Sequence, residues 1–291
     1  MSAPAPAPAA AAGPALVEMT GPSATSGDWG RFYHLTRTLA VTDFKVRFYD
    51  SALGYLWTLM KPLMFFGVLY VVFSLIVKVG EGVDHYPAML VSGIVLFFFF
   101  SESTGKGVTS VVDSENLVRK IHFPRMVIPL SGVLTNGFFL LLNLVAVMFF
   151  FAVDRVEVRL TWLELPVLLA LLFLFTIGVT MVLSVLYVPA RDVKPIWEVG
   201  SQALFYLTPV LYPISLVAEK NEQLANLAMC NPLAAIIQQS RHALIDPDQP
   251  SAAAAIGGAP RLLIPLGILV GTFLFGLWLF NRMAPRIAEE L

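Results

Sequence analysis

Charge is scarce in this chain: 13% of its 291 residues are charged, against 57% hydrophobic, with 22 Phe. Soluble domains usually carry about 25% charged residues. Half of that, with long uncharged runs and a mean hydropathy of +0.75, implies a chain that crosses a membrane several times. The formal net charge is −1, so no overall basic field points to nucleic acid. Cysteine is nearly absent: Cys230 alone excludes a disulfide or a Cys-based zinc site within the chain. The four histidines, His34, His85, His122 and His242, lie on four segments without H-E-x-x-H spacing, and no G-x-S-x-G elbow occurs. No catalytic residue and no metal site are therefore expected. A phosphate-cradling G-x-x-x-x-G-K-[ST] loop is missing too; the Gly105-Lys106 pair has Phe100 and Gly107 where the first Gly and the hydroxyl belong. The expectation is that this chain binds no nucleotide cofactor, and that any ATP-driven engine is another polypeptide. Residues 1–27 contain no Lys or Arg and are rich in Ala, Pro, Gly and Ser. That composition predicts a disordered tail and not a cleavable signal peptide.

What is present is a series of apolar runs bracketed by charges. They predict an all-α polytopic membrane protein with six transmembrane helices, over about 54–79, 86–104, 126–153, 163–189, 196–217 and 262–281. Gln223–Ser240 is uncharged as well, but Asn231-Pro232 interrupts it and Asn226, Gln238 and Gln239 lie inside it. Proline removes a backbone donor and disfavours helix at the residue before it. Two short helices in a re-entrant hairpin, about 222–243, fit this better than a span, since broken helices at membrane depth need protein or a cavity around them. With a cytoplasmic N-terminus, thirteen of the 19 Lys and Arg fall on the inside, which predicts both termini in the cytoplasm; the membrane expected is the plasma (inner) membrane. Acidic groups are sparse. Glu102 and Glu198, at predicted span ends, are explained by solvation or a Lys partner, and a proton relay is the rarer alternative.

Two basic segments stand out on the predicted cytoplasmic side. Residues 28–52 mix Arg31, Arg37, Lys45 and Arg47 with Phe32, Leu35 and Leu39 at helical spacing. This predicts an amphipathic helix in the plane of the membrane interface, the alternative being a helix packed on the protein. The stretch SENLVRKIHFPR, 114–125, opens with Glu115 and Asn116 and repeats Leu117, Val118 and Ile121 at three to four. It carries Arg119, Lys120, His122 and Arg125 and stops at Phe123-Pro124. Topology alone explains basic residues there. The short amphipathic run adds the shape of a docking element.

Four stretches together carry a family resemblance: DFKVRFYDSALGYLWTLMKPL (43–63), ENLVRKIHFPRMVIPL (115–130), ARDVKPIWEVGSQALFYLTPVLYP (190–213) and NPLAAIIQQSRHAL (231–244). In that order they resemble the membrane permease subunit of ABC-2-type exporters of O-antigen, capsule, teichoic acid or galactan. The resemblance implies a homodimer docked to two copies of a separate ABC ATPase, which holds ATP and Mg. It implies a lipid-linked glycan substrate, of undecaprenyl-diphosphate type, in contact with membrane lipids. It makes 114–124 the coupling helix, with residues 115–125 as ATPase contacts, and 28–52 the interface helix. Arg31, Arg37, Lys45 and Arg47 are then candidates to meet the lipid diphosphate. The hairpin at 222–243 becomes an external gate containing Asn231, Pro232 and Arg241. A sugar polymer needs flat apolar faces with hydrogen-bonding edges, and Tyr70, Trp197, Phe205, Tyr206 and Tyr212 are the candidate channel aromatics, with packing as the alternative for each. Readings still open are an ABC-2 exporter of a small drug or lipid, a membrane-embedded glycan polymerase or transferase, and a scaffold without a pore.

Overall fold

A computed structural model describes residues 29–47, 54, 56–79, 83–120 and 123–284, with backbone alone at 118–120. The predicted disordered tail lies outside the described residues. The elements in order are α1 (Trp29–Val46), α2 (Leu56–Tyr70) continued by π turns at Val71–Ile76, α3 (Tyr86–Asp113) and α4 (Glu115–Lys120). α5 (Val127–Val153) follows, then a 3-10 turn (Leu160–Glu164) leading into α6 (Leu165–Leu186), and α7 (Val193–Leu207). Next come the short α8 (Ile214–Lys220), α9 (Glu222–Met229), α10 (Pro232–Leu244) and α11 (Ala252–Ala255), and finally α12 (Leu263–Met283). No strand occurs among the described residues.

Five helical stretches are long and apolar enough to cross a membrane: Leu56–Ile76, Tyr86–Asp113, Val127–Val153, Leu160–Leu186 and Ala259–Met283. The run predicted to cross at 196–217 is not one helix. α7 has 15 residues, and the chain turns extended at Thr208 (φ −81°, ψ 134°). Pro209 and Pro213 explain this, because each disfavours helix in the residue before it. At 1.5 Å per residue α7 is about 22 Å long, against a hydrocarbon thickness of about 30 Å. It nonetheless runs from one end of the bundle toward the other along α3, with Trp197 on Thr104 and Phe205 on Phe97.

The helices share the burden of burial unequally. In α3, 78% of the most apolar window is buried, against 11% in the α2 stretch and 17% in the α12 stretch. α3 is therefore the centre of the bundle, wrapped by α2, α5, α6 and α7, while α2 and α12 turn broad faces outward. Between membrane helices there is little hydrophobic drive, so close contact must come from small residues. α6 and α12 meet in this way: a Cβ on Gly276 would stand 2.6 Å from the Gly178 carbonyl oxygen, and one on Gly178 would stand 2.8 Å from the Phe273 backbone.

The two ends of the bundle are built differently. At the near end, Phe32 of α1 joins Val111, Phe123, Met126, Met181, Val185 and Phe280 in one cluster. The Thr135 hydroxyl of α5, 2.8 Å from Ser131 O, also lies 3.2 Å from the Ala40 carbonyl of α1, so α1 is packed on the protein while Trp29, Tyr33 and Val46 stay exposed. Arg125 donates to the carbonyl of Ala284, which brings the start of α5 and the end of α12 together. At the far end, the 3-10 turn anchors α10: Thr161 donates to Ala243 O at 2.5 Å and Trp162 to Leu244 O at 3.1 Å. His85 and Asp154 pair there at 3.5 Å.

Candidate functional site

α4 occupies the position of the predicted docking element, between α3 and α5 at the near end. Glu115, Asn116 and Leu117 begin it, the backbones of Val118, Arg119 and Lys120 complete it, and Ile121 and His122 lie outside the described residues. Leu117 packs on the near-end cluster. The residues that follow turn inward. Phe123 and Pro124 are buried, and Arg125 is 3% exposed, with burial holding its guanidinium below the usual arginine range. Arg125 holds the chain's own α12 end, so its side chain is not offered to a docking partner.

Of the four cations expected to meet a headgroup, all on or just after α1 and all exposed, Arg47 lines a cavity. It sits over the Phe139 ring at 5.0 Å. The cavity, about 340 Å³, lies between α2, α3 and α5, and its polar wall comprises Arg47, Thr58, Lys61, Glu102, Asn136 and Asn143. Lys61 and Glu102 form an ion pair at 2.5 Å, so the Lys partner considered for Glu102 is Lys61. Lys106 donates to Asn136 Oδ1 at 3.3 Å from the neighbouring groove, which shares Arg47 and Asn136 with the cavity. Asp43 faces that groove. Burial raises its carboxyl above the usual carboxylate range, and Arg47 one turn on partly offsets this. Sequence reasoning gave Lys61, Lys106, Asn136 and Asn143 no role; the available signal was two asparagines seven residues apart on one face of an apolar helix.

The candidate channel aromatics separate into two groups. Phe205 is buried, edge-on to Phe97 at 5.1 Å and Phe65 at 5.6 Å, and so packs inside the protomer. Trp197 is half-buried and donates to Thr104 Oγ1 at 3.1 Å. Tyr70 stacks on Phe66 at 5.7 Å. Tyr206 is 57% exposed, and Tyr212 donates to its backbone carbonyl at 3.2 Å. The sequence missed the company Tyr206 keeps. Lys194, Glu198, Gln202 and Tyr206 recur every four residues along α7 and all are exposed, forming one polar stripe on a helix otherwise flanked by apolar ones. A helix with such a stripe in a membrane faces water or a polar partner. The overall apolarity of 196–217 concealed it.

At the far end, Asn231 caps α10: its side chain accepts from Leu233 N at 3.0 Å and donates to Thr208 Oγ1 at 3.0 Å. Pro232 follows as the first helical residue, where its missing donor costs nothing. Arg241 is 1% exposed; Nη2 donates to Val210 O at 2.8 Å and Nη1 to Tyr212 O at 3.2 Å. It thereby ties α10 to the Thr208–Pro213 loop that ends α7. A Cβ on Gly93 of α3 would stand 3.3 Å from Nη2, so that glycine helps to seat the guanidinium.

Residues 34–245, which contain the cavity, the α7 stripe, α4 and the Asn231 hairpin, match the family described as ABC-2 type transporter. Among curated proteins, the chain is 29% identical over 265 residues to the O-antigen export system permease protein RfbA of Klebsiella pneumoniae, covering 90% of this chain and 96% of that one. It is 29% identical over 204 residues to the protein of the same name in Myxococcus xanthus, covering 69% and 76%. It is 21% identical over 213 residues to the polysialic acid transport protein KpsM of Escherichia coli, covering 71% and 80%. A bundle of apolar helices with one polar-striped helix and a family match across most of its length is a transporter's membrane subunit, not an enzyme, and the chain belongs to the ABC-2 type transporter family.

Proposed function

We propose that this chain is the permease of an ATP-driven exporter that moves a lipid-linked polysaccharide, of undecaprenyl-diphosphate type, from the cytoplasmic to the outer face of the plasma membrane. The carrying observation is the similarity, over nearly its full length, to O-antigen export permeases. The similarity to a polysialic acid transporter favours a polymer over a small drug as cargo. The near end, with α1, α4 and most of the cations, is cytoplasmic. Six crossings follow if the short α7 and the loop after it count as one, which returns the C-terminal end of α12 to the side of α1. Two protomers face each other across α7, so that the stripe of Lys194, Glu198, Gln202 and Tyr206 lines a polar path for sugar hydroxyls. The hairpin at Asn231, held by Arg241, closes that path externally.

ATP binding to two copies of a separate ABC ATPase supplies the work. α4 moves with the ATPase and transmits the motion to α3 and α5, which it joins. The test is charge reversal at Arg119 and Lys120 in a chain co-expressed with its ATPase. The variant is expected to insert normally and to lose both ATPase co-purification and ATP-dependent export in reconstituted vesicles. Phe123 is a poorer probe because it is buried in the near-end cluster. Normal co-purification and export after charge reversal would remove α4 from its role.

A further inference from the structure

We propose that the cavity between α2, α3 and α5 is a binding site for a glycosyl phosphate head group, with the phosphate held at Arg47, Lys61 and Asn136 and a sugar hydroxyl at Asn143. The site rests on the lipid-linked reading of the cargo for its ligand's source, but not for its chemistry. A surplus of cations at this end follows from topology alone. Two buried amides in the same cavity do not.

Asn136 is 3% exposed and Asn143 is 7% exposed, and both line the cavity. Asn136 spends Oδ1 on Lys106, and Asn143 spends Nδ2 on the Phe139 carbonyl at 2.8 Å. Among the described residues, Asn136 Nδ2 and Asn143 Oδ1 meet no hydrogen-bond partner. A buried polar atom without a partner costs about 1–3 kcal/mol, so these two atoms define what the ligand must offer. Asn136 Nδ2 is a donor and asks for an acceptor, beside the charged donors Arg47 and Lys61. Asn143 Oδ1 is an acceptor and asks for a donor. A bare phosphate is too small to meet both amides, whereas a phosphate esterified to a sugar supplies acceptors at one end and hydroxyl donors at the other. Asn143 lies about 10 Å further along α5, so the phosphate sits nearer the α1 end and the sugar deeper. Trp57, Phe98 and Phe99 are among the apolar residues of the wall, offering faces for a sugar ring or the first prenyl unit. The volume falls in the range of about 300–1,000 Å³ usual for small-ligand sites.

Glu102 holds Lys61 at 2.5 Å while it also lines the cavity. An incoming phosphate competes with this carboxylate for the ammonium. The sign of that competition separates a binding role from a structural one: Glu102→Gln tightens phosphate binding, although it removes an ion pair.

The experiment uses the full chain with its ATPase in nanodiscs. The probe is a short-chain polyprenyl diphosphate bearing one N-acetylhexosamine and a photoreactive group on the prenyl tail. Competitors are the same lipid without sugar, the prenyl alcohol, and free inorganic diphosphate. Each variant is compared only where its melting temperature and ATPase co-purification match wild type. Lys61→Gln and Asn136→Leu are expected to weaken labelling about tenfold each, as loss of one charge-assisted or buried hydrogen bond predicts. Lys61→Arg restores it, and Glu102→Gln strengthens it several-fold. Asn143→Leu is expected to erase only the preference for the sugar-bearing probe over the bare diphosphate lipid. Should wild type take the probe and the Lys61→Gln/Asn136→Leu double variant take it equally well, the site falls and the lipid-linked reading stands. Should wild type ignore the lipid probe while free diphosphate protects Lys61 from an amine-reactive reagent, the phosphate site stands and the lipid-linked reading falls. Neither labelling nor protection overturns both.

Discussion

Both ends of this bundle hold polar side chains in apolar surroundings, and they put them to different uses. At the far end the polar side chains are fastened to the chain itself, although among the described residues Gln238 Oε1 and Arg241 Nε are left without a partner. Arg241 gives two donors to backbone carbonyls, Gln238 donates to Pro250 O at 2.7 Å, and Gln239 bridges Glu164 and the Ala252 amide at 2.8 and 3.0 Å. From the near end to mid-bundle, Asn136 and Asn143 each keep an atom without a partner beside a cavity, and the Lys61–Glu102 pair is partly exposed. A polar group answered within the chain holds structure together. One left open next to a cavity waits for something else. The same residue types thus build a clamp at one end and a site at the other, and what marks the site is that its atoms without partners belong to residues lining a cavity.

The comparison is broken most severely at Arg241. Arg241→Met removes two charged hydrogen bonds from a fully packed position and leaves the Val210 and Tyr212 carbonyls without their donors. A loss of about 3 kcal/mol or more is expected, read as a large drop in melting temperature in nanodiscs. Arg241→Lys is expected to recover only part of it, since an ammonium lacks the planar fork that reaches both carbonyls. Lys61→Gln at the open end should barely move the melting temperature while it weakens ligand binding. Equal stability effects at the two ends would erase the distinction.

A smaller effect is expected midway between the ends. α12 packs on α6 at Gly178 and Gly276 and reaches both the far-end α10 and the near-end Arg125. Gly276→Val forces a side chain toward the Gly178 carbonyl, an overpacking of about 1–3 kcal/mol. Hydrogen exchange should then rise at both the 127–131 and the 232–244 backbone. A rise at one end alone would mean that the two ends are coupled less through α12 than the packing implies.

The long helices were legible because a run of apolar residues between charges is a one-dimensional signal. The predicted 126–153 and 262–281 differ from α5 and α12 by one or two residues. α3 was read short, ending near 104 instead of Asp113, because its last turns carry Lys106, Ser110 and two glycines that continue a helix without looking like a span. The fifth span was read long, since composition does not register how Pro209 and Pro213 end α7. The break at Asn231-Pro232 was legible because proline acts locally. The cavity was not, because its polar wall comes from the end of α1 and from three other helices, and no single stretch contains the pattern. Arg125 and Phe123 were read as ATPase contacts from the family resemblance, and only tertiary packing shows that both are buried.

The mildest test lies on the groove that joins the cavity to α4. The Asp43 carboxyl is raised by burial more than Arg47 lowers it, so its ionised form is less favourable on the packed α1 than in a free chain. For an acid with a raised folded value, this penalty is present above both values and disappears as pH falls through the folded one. Wild type should therefore hold α1 slightly more firmly in mild acid than at pH 7.5. Asp43→Asn removes the penalty, so at pH 7.5 the 36–46 backbone should exchange more slowly in the variant. The gap should close as pH falls through the raised folded value, where the wild-type carboxyl takes up its own proton. Faster exchange in the variant at pH 7.5 would mean that the Asp43–Arg47 attraction outweighs burial, and that the near end too is partly fastened by its own charges.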